Sequence, residues 1–271
     1  SLDYTVRATD SQGGFDDQTV TITVTGANDA PVISVGATDS AAAPLSETDA
    51  ALSVSGTLTV SDSDVTDTVS TSVDAVVATG DAGALSNADL LAMLSVDAGN
   101  VIDAVSTSGT INWSFDSNSE AFNHLSDGET LTLEYAVLAT DSQGTDSVAQ
   151  TVTITITGTN DAPVAYDDST PTTGENAVYN GNVPAASDVD GTIAGYALDT
   201  DVAEGTLTFN GDGSYQFDPG TAFDDLAFGE SRDVSFTYHA TDDFGADSGS
   251  QTVTITVTGA NDAPVISVGA T

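Results

Sequence analysis

The side chains able to do chemistry in this chain are almost all carboxylates. Asp and Glu total 42 against 2 Lys+Arg, with 2 His and no Cys among 271 residues. They recur in short groups, Asp62-Ser63-Asp64 and Asp188-Val189-Asp190, and beside Asn in Asn28-Asp29, Asn160-Asp161 and Asn261-Asp262. A formal charge of −40 without opposite-sign partners leaves two physical solutions. One is an acidic coat kept in solution by hydration and screened by salt. The other is a set of divalent cations bound by clustered carboxylates. Asp in turns also bonds its own backbone and needs no metal, so placement has to decide.

Other chemistries are poorly served. Without Cys there is no disulfide, thiol nucleophile or thiolate metal site. Histidine is the side chain whose free form titrates near neutral pH, and the chain has only His124 and His239, in nonequivalent positions. There is no Gly-x-Ser-x-Gly elbow and no phosphate-cradling Gly-Lys-Ser/Thr loop. With so many acids, a carboxylate pair spaced for glycoside hydrolysis carries no information. The expectation is that this is not an enzyme. Phosphate-backbone binding to nucleic acid needs Lys and Arg, and docking on anionic membranes needs basic segments, so both are excluded. No apolar run approaches the roughly 18–20 residues of a membrane helix, and no membrane insertion is expected.

The elements that must position the carboxylates come from a repeat. Residues 4–32, 135–164 and 238–265 share the pattern ATD…QTVTIT-x-TG-x-NDAPV, x being Val or Ile and then Ala or Thr, with the Asp of Asn-Asp-Ala-Pro at 29, 161 and 262. The spacings of 132 and 101 residues imply two full repeats, the first carrying an insertion of 31 residues. GANDAPVISVGAT stands identically at 26–38 and 259–271, as expected of a window cut from a longer array. The expected units are 1–29, the last two strands of a preceding repeat; 30–160, a long sandwich; 161–261, a short sandwich; and 262–271, the start of the next.

Val20, Ile22 and Val24 alternate with Thr19, Thr21, Thr23 and Thr25, the period of a half-buried strand. Residues 206–217 place Asn-Gly-Asp-Gly between two alternating runs, a hairpin signal. Ser86 or Asn87 caps a short helix over Ala88–Leu94, in the repeat that holds the insertion. Trp113, Phe115, Phe122 and Leu125 align with Tyr215, Phe217, Phe223 and Leu226 and read as core. A sugar-stacking platform is the alternative. The fold class is all-β: tandem sandwiches of short antiparallel strands with a helix inserted in the first full repeat.

The segments ATDSQG…QTVTITVTGANDAPV, GSYQFD and LAFGE resemble the VCBS repeat of giant RTX-type bacterial surface adhesins, and the layout is similar to cadherin repeats. The resemblance implies seven-stranded Greek-key (cadherin- or Ig-like) sandwiches strung head to tail with calcium at the joints. It also implies type I export and attachment to the surface of a Gram-negative cell. In that layout Asp62, Asp64 and Asp141 sit beside Asn28 and Asp29. Asp188, Asp190 and Asp242 sit beside Asn160 and Asp161. At the opposite ends Glu47, Asp127 and Glu129 face Asn160–Asp161, and Glu175 with Glu230 faces Asn261–Asp262. Six to eight oxygens, with no His or Cys, suit calcium rather than zinc or copper.

The pattern departs from cadherins in three ways. Gly26, Gly158 and Gly259 stand where cadherin linkers carry an acid two places before the Asn. The stretch between Asp and Pro is one residue shorter, and Phe228 matches Asp127. About one or two ions per joint are therefore expected. Asp188-x-Asp190-Gly191 lacks the downstream ligands of an EF-hand, and Gly13-Gly14-Phe15-Asp16 is no nonapeptide calcium array.

The expected function is a calcium-stiffened extender that projects a distal binding domain in cell adhesion or biofilm formation. Its partners are calcium ions, adjacent repeats or neighbouring copies, and glycans through other domains. The alternatives are a carbohydrate- or self-binding module, or the subunit of an extracellular fibre or surface layer. Internal aromatics favour the extender; exposed aromatics beside a groove favour the glycan binder.

Overall fold

The computed structural model describes residues 1–264; the remainder of the expected 262–271 segment lies outside the described residues. Strands β1 (Leu2–Thr9) and β2 (Phe15–Ile22) form an antiparallel hairpin that pairs with no other strand among the described residues. The long repeat follows with β3 (Val32–Ser34), β4 (Ala42–Ser46), β5 (Ser53–Ser61), β6 (Val69–Thr79), helix α1 (Asn87–Leu91), β7 (Leu94–Val96), β8 (Asn100–Ile102), β9 (Ser108–Asp116), β10 (Thr130–Asp141) and β11 (Gln150–Thr157). The short repeat holds β12 (Thr172–Gly174), β13 (Tyr179–Asn182), β14 (Ile193–Thr200), β15 (Thr206–Phe209), β16 (Ser214–Asp218), β17 (Ser231–Asp242) and β18 (Gln251–Thr258).

Each repeat is a pair of sheets. In the short one they run β12-β18-β17-β14 and β13-β16-β15, the expected seven strands. In the long one they run β4-β11-β10-β6-β8 and β3-β5-β9-β7, so it has nine strands where seven were expected. Two causes account for the difference. The first strand is split, β3 pairing antiparallel with β5 and β4 crossing to pair parallel with β11. The stretch between β6 and β9 holds α1 and the short strands β7 and β8, which extend the two sheets at their edges.

Alternation explains the packing. Leu131, Leu133, Tyr135, Val137 and Ala139 of β10 are buried, as are Val152, Ile154 and Ile156 of β11, while the intervening Thr and Glu side chains point away. Val234, Phe236, Tyr238 and Ala240 of β17 and Val253, Ile255 and Val257 of β18 repeat the arrangement. One core joins residues from Ala43 to Ile156 and a second joins Ala165 to Val257. All eight residues expected in the core, Trp113 and Tyr215 among them, are buried. Trp113 lies against Gly56, where an added Cβ would fall 2.4 Å from the indole, and its Nε1 donates to Ser40 O at 2.8 Å.

The hairpin over 206–217 forms with Asn210–Gly213 as its loop, Gly213 having φ +83. Ser86 caps α1 through a capping box with Asp89. The helix ends at Leu91, not Leu94: Leu94 already begins β7, whose pairing with β9 claims the chain. Among the described residues no helix is long and apolar enough to cross a membrane.

Candidate metal centres

The loop β5–β6 and the end of β10 meet at the tip of the long repeat, where residues 26–29 arrive. Asp62, Asp67 and Asp141 are all buried there, with carboxylate oxygens within 4.8 Å of one another. Each is oriented by a donor. Asp62 accepts from Asp64 N at 2.9 Å, Asp67 from Ser142 Oγ at 2.9 Å, and Asp141 from the N–H groups of Gln143 and Thr145 at 2.9 and 2.8 Å. The incoming segment docks on the same groups: Asn28 Nδ2 donates to Asp141 at 2.8 Å, and Asp29 N to Asp64 at 2.7 Å. Burial works against ionisation of Asp141, yet the donors from Thr145, Asn28 and Gln143 hold its carboxyl below the usual range.

The middle joint draws on both repeats. From the long repeat, Glu47 lies buried after β4. Its Oε2 accepts from Thr159 Oγ1 at 2.6 Å and its Oε1 from Asp49 N at 2.6 Å. Glu47, Asp49 and Asp161 bring carboxylate oxygens within 4.8 Å of one another. From the short repeat, Asp190 accepts from Asp161 N at 3.3 Å, and Asp242 accepts from Asn160 Nδ2 at 2.8 Å. Ser126 Oγ of the long repeat donates to Asp190 O, so loops of both sandwiches touch directly. Burial first, then the approach and charge of Asp49, then the charges of Glu47 and Asp190, push the Asp161 carboxyl up to about 7. Burial likewise raises Asp190, whereas the Asn160 donor holds Asp242 low.

At the far end of the short repeat Glu175 is buried and its Oε1 accepts from Ala260 N at 2.7 Å. Asn261 and Asp262 are exposed beyond it.

Most expected residues therefore lie where the layout assigned them, and Asp127, Glu129, Glu230, Asn261 and Asp262 do not gather with the rest. Asp127 and Glu129 are exposed, and Glu129 turns back to accept from Ser126 N in its own loop. Glu230 accepts from Ala227 N in the equivalent turn, and Asp262 is exposed. The local turns supply a backbone donor to Glu129 and to Glu230. Their places are taken by residues that the sequence reading passed over. Asp49 lies two positions after Glu47, and Asn123 Nδ2 donates to Asp49 at 2.8 Å and Asp161 at 3.5 Å. Asp67 sits five positions after Asp62; the run Asp62-x-Asp64-x-x-Asp67 was the available signal.

The glycine departures have a steric cause. A Cβ on Gly158 would lie 2.2 Å from Leu125 O and 2.4 Å from Ser126 O, and one on Gly259 would lie 2.5 Å from Ala227 O. No acidic side chain fits there, because the β9–β10 and β16–β17 loops press on the linker. Gly26 has open space. The histidines stand apart: His124 meets Asp81 O, and His239 Nδ1 pairs with Asp199.

The donor sets suit a hard cation. Asp62 Oδ2, Asp67 Oδ2, Asp161 Oδ2, Asp188 Oδ2, Asn160 Oδ1 and Glu175 Oε2 are buried without a hydrogen-bond donor. Buried acceptors left unpaired are costly, and the two Arg of the chain are engaged elsewhere, Arg7 with Asp17 and Arg232 with Glu204 and Asp225.

No curated protein matches the chain. Among solved structures it is similar to the sialic acid binding region of a Streptococcus sanguinis adhesin (10% identity, 86% of this chain and 78% of that one, TM-score 0.28). It is similar to Drosophila N-cadherin domains 1–3 (19% identity, 91% and 74%, TM-score 0.30). It is also similar to protocadherin gamma B7 domains 1–4, of which it spans 58% (13% identity, 96% of this chain, TM-score 0.39). Residues 160–259, the short repeat with its leading Asn-Asp pair, match the family model of the bacterial cadherin-like domain, and the fold here is cadherin-like.

Proposed function

We propose that this chain is an extracellular adhesion segment whose sandwiches are stiffened by calcium at their joints. One observation carries the reading. Carboxylates from loops more than a hundred residues apart in sequence gather at residues 160–161, with buried oxygens that no protein donor satisfies. Glu47 and Asp49 would hold the ion from the long repeat, Asp161 from the linker, and Asp188, Asp190 and Asp242 from the short repeat. Bound calcium supplies positive charge and six to eight coordination positions. The chain's own part is to hold the oxygens together, as the Asn160, Asn123 and Ser126 donors do.

Without the ion the same carboxylates repel and the joint loosens. The burial of Trp113 favours this extender over a sugar-stacking module. The finer reading is a giant RTX-type adhesin of a Gram-negative surface, exported by a type I system and acting in biofilm formation. It rests on the repeated ATD…NDAPV segments. Calcium titration followed by small-angle scattering and melting tests the proposal. Chelation should lower the melting temperature and reduce the maximum dimension, with affinity in the roughly 10⁻⁴–10⁻³ M class. Unchanged melting and dimension at fixed ionic strength would leave the acidic coat as the explanation.

A further inference from the structure

The tip of the long repeat differs from the middle joint in where its ligands originate. Asp62, Asp67 and Asp141 all belong to one sandwich, the first two to the β5–β6 loop and the third to the end of β10. They are 4%, 5% and 5% exposed. Asp62 Oδ2 and Asp67 Oδ2 are buried without a donor, while the other oxygen of each is held by Asp64 N and Ser142 Oγ. The orientation is thus fixed by neighbours in the same repeat. A cleft of ≈ 250 Å³ lined by Gly26, Asn28, Asp64, Asp67 and Gln143 opens beside them, an entry path from solvent.

We infer that the long repeat binds one divalent cation of calcium type at this tip by itself, with Asp67 as an essential ligand and the linker residues dispensable. This rests on the ion-binding reading above and goes beyond it, since a joint ion needs two repeats and this one does not. Three buried carboxylates without a basic partner repel one another, and a cation shared among them relieves both the repulsion and the unpaired oxygens. Asn28 and Asp29 contribute N–H donors to Asp141 and Asp64 and steady the linker rather than build the site.

The test uses the full chain. Trp113 is the single Trp and lies in the core of the long repeat, so its fluorescence follows the unfolding of that repeat alone. Calcium at a hundredfold excess over its dissociation constant should raise that melting temperature by about 5–10 °C, and calorimetry should count the sites. Asp67→Asn should remove one site and lower the rise, leaving only the part due to the middle-joint ion held by Glu47 and Asp49. The double variant Asn28→Ala/Asp29→Ala should keep both within about threefold in affinity. Circular dichroism confirms that each variant folds. A wild-type count and rise retained in Asp67→Asn, or their loss in Asn28→Ala/Asp29→Ala, overturns the inference. A wild-type chain that takes up no calcium overturns the joint reading and this inference together.

Discussion

The bases of the two sandwiches present the same buried glutamate in different company. Glu47 and Glu175 both follow the strand that pairs parallel with the last one, and each donates its backbone N–H to the end of that last strand, Thr157 O or Thr258 O. Both capture the departing linker, Glu47 through Thr159 and Glu175 through Ala260 N. Around Glu47 stand Asp49, Asn123 and Ser126; the corresponding positions around Glu175 are Ala177, Asp224 and Ala227. The glutamate is thus part of how a sandwich ends, while its neighbours decide how many carboxylates the joint gathers. Among the described residues, the first base gathers three carboxylates and the second buries Glu175 alone, with Asp224 exposed.

The largest expected effect concerns the linker glycines. Gly158→Ala should destabilise the long repeat by about 1–3 kcal/mol, the range for overpacking a filled site. Gly26→Ala, with open space, should stay within about 0.5 kcal/mol. Urea titrations followed by Trp113 fluorescence decide this, and equal costs would mean that the carbonyl contacts of Gly158 do not set its identity.

Next, Asp49→Ala should turn the middle joint toward the sparser base. Losing one carboxylate should weaken calcium binding there about tenfold, or ~1.4 kcal/mol, without unfolding either sandwich. Asp127→Ala, by contrast, should leave affinity unchanged, since Asp127 is exposed and apart from the cluster. Calorimetry on the two variants would reverse the assignment if Asp127→Ala proved the weaker binder.

Asp161→Ala should loosen the hinge between repeats while both cores stay folded, because those cores are built from residues elsewhere. Scattering in calcium should show a shorter maximum dimension with the Trp113 melting curve nearly unmoved. Unfolding of the whole chain would make Asp161 a core element.

The smallest effect is one of pH in chelator. Asp161 titrates at about 7 in the folded chain, against an ordinary 3.8. The folded state therefore holds the proton through the window between those values. Its stabilising contribution is complete below about pH 4 and is lost as pH rises through about 7. Asp141 and Asp242, held low by their donors, stay ionised above pH 5 and do not cancel the trend. Melting temperature should fall by about 2–4 °C from pH 5 to 8 in wild type and by less in Asp161→Asn, where Asp190, also raised by burial, keeps part of the dependence.

The sequence by itself determined the all-β class, the two repeats and their cores, because strand alternation and turn residues are local signals. Trp113, Tyr215 and their aligned neighbours could be placed inside from pattern alone. It also located Asp62, Asp141, Asp161, Asp190 and Asp242 near the linkers, since loop order at a sandwich end follows from strand order. Tertiary structure alone decided which acids in a loop turn inward. Asp127-Gly128-Glu129 reads like a ligand loop, yet Glu129 folds back onto Ser126 N, while Asp49, with φ +54, is brought to within reach of Asp161. Asp67 and Asp64 share one loop, but only Asp67 is buried with Asp62. Such choices depend on backbone dihedrals and on which donors a neighbouring loop supplies, and neither is written in the spacing of the carboxylates.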